Sequence, residues 1–292
     1  MNAVQRSGIR TLVIGVDASP EATDAIEWAR SVAGPEDRLI VVHAWELPIV
    51  TGYDMVVTVD PGEIERLAKE GLDELVGKID DDRVIPVVRQ GHAGRAIMDE
   101  ADERDAAMVV VGHRGNSRVS MMLGSTANYV LHHTERPVVV VRGDHCPTPA
   151  HVVVGVDDHD LDEAEDNESV RALRWAYQLP GVEQVRVIHS WFLPALAVGM
   201  FATVAAELER MDDGAEAVVE RVMAAAGPPP EGVAVVGEPV RGTPSFGLIE
   251  ASREADLVVV GSRGRGGFSG LLLGSTSAEV ASHSHAPVAV IR

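Results

Sequence analysis

A single cysteine, Cys146, stands among 292 residues, so no disulfide can close within the chain, and that composition fits a reducing compartment. Cations are also scarce: 25 Lys and Arg face 45 Asp and Glu, for a formal net charge of −20. Non-specific binding to a phosphate backbone needs clustered cations, so this charge balance disfavours it and no nucleic-acid partner is expected. Long apolar runs are missing too. None reaches the roughly 18 residues of a membrane span, and the opening Met1-Asn2-Ala3-Val4-Gln5-Arg6-Ser7-Gly8 lacks the apolar core of a signal peptide. The expectation is a soluble, cytoplasmic chain without a membrane partner.

What the chain does have is a repeat of itself. Val13-Ile14-Gly15-Val16-Asp17 is answered by Val153-Val154-Gly155-Val156-Asp157, and His43-Ala44-Trp45-Glu46-Leu47-Pro48 by His189-Ser190-Trp191-Phe192-Leu193-Pro194. Pro137-Val138-Val139-Val140-Val141-Arg142 is answered by Pro287-Val288-Ala289-Val290-Ile291-Arg292. The order is kept throughout, which predicts duplication of a whole domain: 1–143, a linker 144–150 carrying Pro147 and Pro149, and 151–292. With 46% hydrophobic residues, each half can bury a core of its own.

Inside the first half, strand-length apolar runs fall at 10–17, 38–45, 83–90, 106–112 and 137–142. Val, Ile and Leu on consecutive positions suit strands covered on both faces. Between them Ile64, Leu67, Ala68, Leu72, Leu75, Val76 and Ile79 recur at helical spacing. The counterpart helix of the second half carries Val204, Leu208, Met211, Ala215, Val218, Val219 and Val222 and stops at Gly227, before three prolines. Each half therefore reads βαβαβαβαβ. The fold class is α/β: two tandem doubly wound domains, each a five-stranded parallel, Rossmann-like sheet with helices on both faces.

Two glycine-rich loops carry the chemistry. Val111-Gly112-His113-Arg114-Gly115 runs on to Gly124-Ser125-Thr126, and Val260-Gly261-Ser262-Arg263-Gly264 to Gly274-Ser275-Thr276. Open parallel sheets bind ligands beyond the carboxyl ends of their strands where strand order reverses. With strands 1 and 4 adjacent there, Asp17 meets Gly112 and Asp157 meets Gly261. Glycines let backbone N–H groups turn towards an anion, and the helix that follows adds free N–H groups and a partial positive charge. The hydroxyls at 125, 126, 275 and 276 are fit to cap that helix or to bond a phosphate, and Arg263 is a charge-assisted donor. Asp17 and Asp157 are placed to accept from a ribose. A nucleotide or another phosphorylated small molecule is the expected ligand. No Gly-x-x-x-x-Gly-Lys-Ser/Thr occurs, and Gly-x-Gly-x-x-Gly does not follow the first strand, so neither a P-loop ATPase nor a usual dinucleotide fold is indicated.

These residues resemble the universal stress protein family in its tandem actinobacterial form, whose loop pattern is Gly-x2-Gly-x9-Gly-Ser/Thr. The second half fits throughout. The first has eight residues, not nine, between Gly115 and Gly124. The resemblance implies ATP as ligand, with Mg²⁺ as a bridging ion. It implies that Asp17 and Asp157 hold the nucleoside, and that Ala44 and Ser190 give a backbone contact to adenine. On the resemblance, phosphates would fall to Gly112, Gly115, Gly124 and Ser125, or to Gly261, Gly264, Gly274 and Ser275, to which the residues' own chemistry adds Thr126, Thr276 and Arg263. It also implies homodimers joined through the last strand, and a protein partner whose identity is unknown. The last strands, 137–142 and 287–292, are expected to pair with each other or with another copy. No catalytic base or nucleophile stands out. Weak ATP hydrolysis and a nucleotide-free scaffold are the alternatives to nucleotide-regulated binding. An acidic insert, Asp158 to Asp166, sets the second half apart.

Overall fold

A computed structural model describes residues 10–17, 22–47, 60–113, 123–142, 148–157, 167–192, 204–263 and 273–292. The first half supplies strands β1 (Thr11–Val16), β2 (Arg38–Trp45), β3 (Val84–Gln90), β4 (Met108–Gly112) and β5 (Val138–Val141), with helices α1 (Ala22–Val32), α2 (Pro61–Val76), α3 (Ala93–Glu103) and α4 (Ser125–His133). The second supplies β6 (His151–Gly155), β7 (Gln184–Trp191), β8 (Ala234–Arg241), β9 (Leu257–Gly261) and β10 (Val288–Ile291), with α5 (Glu168–Tyr177), α6 (Val204–Ala226), α7 (Pro244–Ala251) and α8 (Ser275–His283). Every strand read from the first half's sequence is present, and its ends move by no more than two residues.

Local chemistry sets the element ends. Asp60 caps α2 by accepting from Gly62 N, and Pro61 begins the helix with its φ already helical. At the end of α6, Gly227 takes φ +87°, a left-handed stop that glycine adopts without a Cβ penalty.

The strands run β3-β2-β1-β4-β5-β10-β9-β6-β7-β8 in one sheet. All neighbours are parallel except β5 and β10, which pair antiparallel with Val138 opposite Val290 and Val140 opposite Val288. The last strands thus meet inside one chain, and two five-stranded sheets become a single ten-stranded one. Val139 and Val140, Val288 and Val290 are fully buried at this seam. Each such side chain is worth roughly 1.5–3 kcal/mol over an exposed one, which a bare edge would forfeit. Strand alternation then separates two cores, one on each face. One packs α1, α2, α5 and α6 on the sheet, with Val139, Val141, Ala289 and Ile291 at the seam. The other packs α3, α4, α7 and α8, with Val138, Val140, Val288 and Val290. Helices following β1 and β4 therefore leave on opposite faces and open a crevice between the two strand ends; β6 and β9 do the same.

Candidate functional site

In the second half the register pairs Gly155 with Val260, so Asp157 and Gly261 lie at adjacent strand ends, as the motif reading requires. A cleft of about 740 Å³ opens there, within the roughly 300–1,000 Å³ usual for small-molecule sites. Asp157, Gly261, Arg263, Gly274, Ser275 and Thr276 line its polar end; Val156, Ile188, Trp191, Phe192, Met211 and Leu248 line its apolar wall, with Ser190 between. Arg241 stacks over Trp191 at 5.4 Å and is paired with Asp212, whose carboxyl it holds below its ordinary range through a hydrogen bond.

The loop mouth is clasped by backbone. Gly274 N donates to Ser262 O at 2.6 Å, and Ser262 N to Ile291 O at 2.7 Å. Ser277 Oγ donates to Gly261 O at 2.7 Å and ties α8 to the end of β9. No side chain caps α8, whose N-cap is Gly274, and its first two residues, Ser275 and Thr276, line the cleft. Ser169 Oγ accepts from Asp157 N at 3.0 Å and so seats the turn that carries the acid. His189 Nδ1 lies 2.8 Å from Val156 O, a contact a carbonyl accepts only from a protonated Nδ1. This histidine is a strut between strand ends.

One carboxylate sits where the sequence pattern calls for an anion. Glu168, first residue of α5, accepts from Arg263 N at 2.6 Å, Ser262 Oγ at 3.0 Å and Arg263 Nε at 3.0 Å. Its side chain is 15% exposed, against 51% for Arg263.

The first half repeats the frame. Gly15 pairs with Val111, bringing Asp17 and Gly112 to adjacent strand ends. His43 Nδ1 lies 3.2 Å from Val16 O. Ala44 sits on β2 opposite Arg89 of β3, as Ser190 sits on β7 opposite Val240 of β8. Gly124 N donates to His113 O at 2.9 Å and His113 N to Val141 O at 2.7 Å, the same clasp as in the second half. The one-residue deficit therefore falls between clasp points that are preserved. Ser125 and Thr126 begin α4 behind an N-cap Gly124 with no side-chain cap.

Gly115 and Gly264, with Arg114 and the acidic insert, lie outside the described residues. The other predicted positions gather at the two strand-end crevices. Sequence reasoning missed Glu168, Ser169, Ser277 and the wall from Met211 and Leu248. A Ser or Glu at the start of a helix is too common to stand out, and only the fold brings these groups to the loop. His132, His133 and His283 each turn Nδ1 to the carbonyl four residues earlier, so they are helix-end residues. Among the described residues no His, Cys, Asp and Glu cluster is suited to a metal ion, and no helix is long and apolar enough to cross a membrane.

The sequence profile of the universal stress protein family matches residues 8–142 and again 150–292. A universal stress protein of Mycolicibacterium smegmatis is 32% identical over 301 residues, covering 96% of both chains. Among solved structures, a universal stress protein from Archaeoglobus fulgidus superposes with a TM-score of 0.65 over 97% of this chain and 98% of its own, at 23% identity, a likeness of fold. A universal stress protein solved in complex with cAMP covers 50% of this chain at 27% identity, with a TM-score of 0.32.

Proposed function

From a chain that belongs to the universal stress protein family through both of its halves, we propose an adenine-nucleotide-binding protein, with ATP as the principal ligand. Its occupancy governs contacts with a second copy or with another protein in a stress response. The halves 1–143 and 151–292 are taken as the two binding units. The cleft between β6 and β9 carries the reading: its lining joins Asp157 at one strand end to Gly261, Arg263, Gly274, Ser275 and Thr276 at the other, beside apolar side chains that include Ile188, Trp191 and Leu248. In it Asp157 would accept from a ribose, Ser190 would present backbone to the base, and Gly261, Arg263, Gly264, Gly274, Ser275 and Thr276 would face phosphates. Asp17, Ala44, Gly112, Gly115, Gly124, Ser125 and Thr126 take the same roles in the first half. Mg²⁺ would offset charge between polyphosphate and an acidic protein, so MgATP is expected to bind more tightly than free ATP. A single cysteine and a charge of −20 support a cytoplasmic setting. Because β5 and β10 already pair within the chain, a homodimer would use another surface.

Isothermal titration with ATP, with and without Mg²⁺, tests the reading, together with mass spectrometry of what copurifies. Binding at micromolar to sub-millimolar level is expected. No binding at millimolar ATP, and no nucleotide carried through purification, would overturn it. Combining Gly261→Ala with Gly274→Ala should abolish the second site. A Cβ at 261 would stand 3.0 Å from the Glu168 Cβ, and one at 274 would stand 3.2 Å from Ser262 O, so the clasp must shift.

A further inference from the structure

Glu168 belongs to no motif of the site, yet its carboxylate accepts three hydrogen bonds from the start of the loop. It takes a backbone N–H, a hydroxyl and a guanidinium N–H, each at 3.0 Å or less. Those are the donors a phosphate oxygen would use. The glycine at 261 has an equally direct relation to this side chain. A Cβ built there would lie 3.0 Å from Glu168 Cβ and 3.1 Å from Glu168 Oε2. The room that the missing Cβ leaves above the strand end is filled by Glu168.

We propose that Glu168 is an internal anion that occupies the phosphate cradle of the second half and must swing away before a polyphosphate can bind there. The inference rests on the nucleotide reading and adds its regulation. Arg263 N carries one hydrogen, already given to Glu168 at 2.6 Å, so a phosphate oxygen and this carboxylate cannot both take it. Two anions at hydrogen-bond distance from one donor also repel strongly in a partly buried site. Release needs only a side-chain rotation, because α5 is held independently. Asn167 caps it by accepting from Val170 N at 2.8 Å, and Val170, Ala172 and Leu173 anchor it in the core.

The test compares the full-length wild type with Glu168→Gln and Glu168→Ala by isothermal titration with ATP, adenosine and pyrophosphate, after thermal unfolding confirms that each variant is folded. One of the two ATP-binding events should strengthen about tenfold or more in both variants, the scale of one charge-assisted hydrogen bond no longer competing. Adenosine affinity should stay unchanged, and pyrophosphate binding should strengthen. If either variant fails to fold, Glu168→Asp, which withdraws the carboxylate by one methylene, should show a smaller gain in the same direction. ATP affinity equal to or below that of the wild type would overturn the proposal and make Glu168 a positioning residue for the loop. A gain for pyrophosphate without binding of ATP or adenosine by any form would keep the anion cradle and overturn the nucleotide reading. No binding of any probe to any form would overturn both.

Discussion

Ser169 shows how a single hydroxyl can hold a site together from outside its motif. It accepts from Asp157 N at 3.0 Å and lies within 3.2 Å of Asp157 O, so one side chain braces both backbone groups of the acid. It is 6% exposed, and its loss leaves those groups without that partner. Ser169→Ala should cost about 1 kcal/mol of stability. It should also weaken ATP binding at one of two sites several-fold, because Asp157 would no longer be presented at a set angle. Titration calorimetry beside thermal unfolding separates the two effects; unchanged affinity would mean that the turn holds itself. Gly261 and Asp157 were legible as a pair because each ends an apolar run with a recognisable pattern. Glu168 and Ser169 were not, since their partners lie far off in sequence: Ser262 is 94 residues beyond Glu168.

At the scale of elements, buried carboxylates lock helices to strands. Asp81, between α2 and β3, takes Arg83 Nε at 2.9 Å and Arg30 Nε of α1 at 2.9 Å, while Arg83 Nη1 donates to Ala33 O and Gly34 O just beyond α1. The hydrogen bond from Arg83 above all, and that from Arg30, hold the Asp81 carboxyl below its ordinary 3.8 against the opposing effect of burial. Glu100 on α3 is fully buried. Burial pushes its carboxyl up, but the guanidinium groups of Arg104 and Arg89 outweigh it and hold the carboxyl below its ordinary 4.5. A carboxyl depressed in the folded state stabilises the fold above its unfolded pKa, and that contribution is lost as pH falls through the folded value. Stability from these two groups should therefore be complete at neutral pH and decline below about 4.5. Asp81→Asn should lower the unfolding midpoint at pH 7 by a few degrees, about 1–2 kcal/mol, and flatten the acid limb. An acid limb of unchanged slope would show that other carboxylates set it. The helices themselves were legible from apolar spacing, but which acid clamps which helix was not, since charged residues are common at every surface turn.

At the scale of the whole molecule, the antiparallel pairing of β5 with β10 makes one sheet of two halves, and two arginines staple it. Arg142, just after β5, donates to Ser282 O at 2.9 Å and contacts His113 of the first clasp. Arg292, just after β10, donates to Leu131 O near the end of α4. Each cation thus reaches the negative end of a helix in the other half. Burial pushes the Arg292 guanidinium below its ordinary value, with the charge of Glu168 the largest opposing influence. Arg292→Ala should leave Leu131 O without this donor and cost about 1–3 kcal/mol. Calorimetry should then show a lower midpoint and a less cooperative transition, as the halves begin to melt separately. A single transition at the wild-type temperature would show that the seam valines suffice.

The sequence by itself determined the duplication, the five strands and doubly wound order of each half, and the two loops that place glycine beside an acid. Each of these is written in short-range patterns: runs of β-branched residues, helical spacing, and Gly-Ser-Thr at a helix start. Tertiary structure alone decided that β5 and β10 close on each other, with no second copy needed, because an antiparallel seam of valines buries as well within one chain as between two. It also decided what meets the start of the second loop. An acid at the start of α5 meets N–H groups at the end of β9 only once the sheet has brought residues 168 and 263 together.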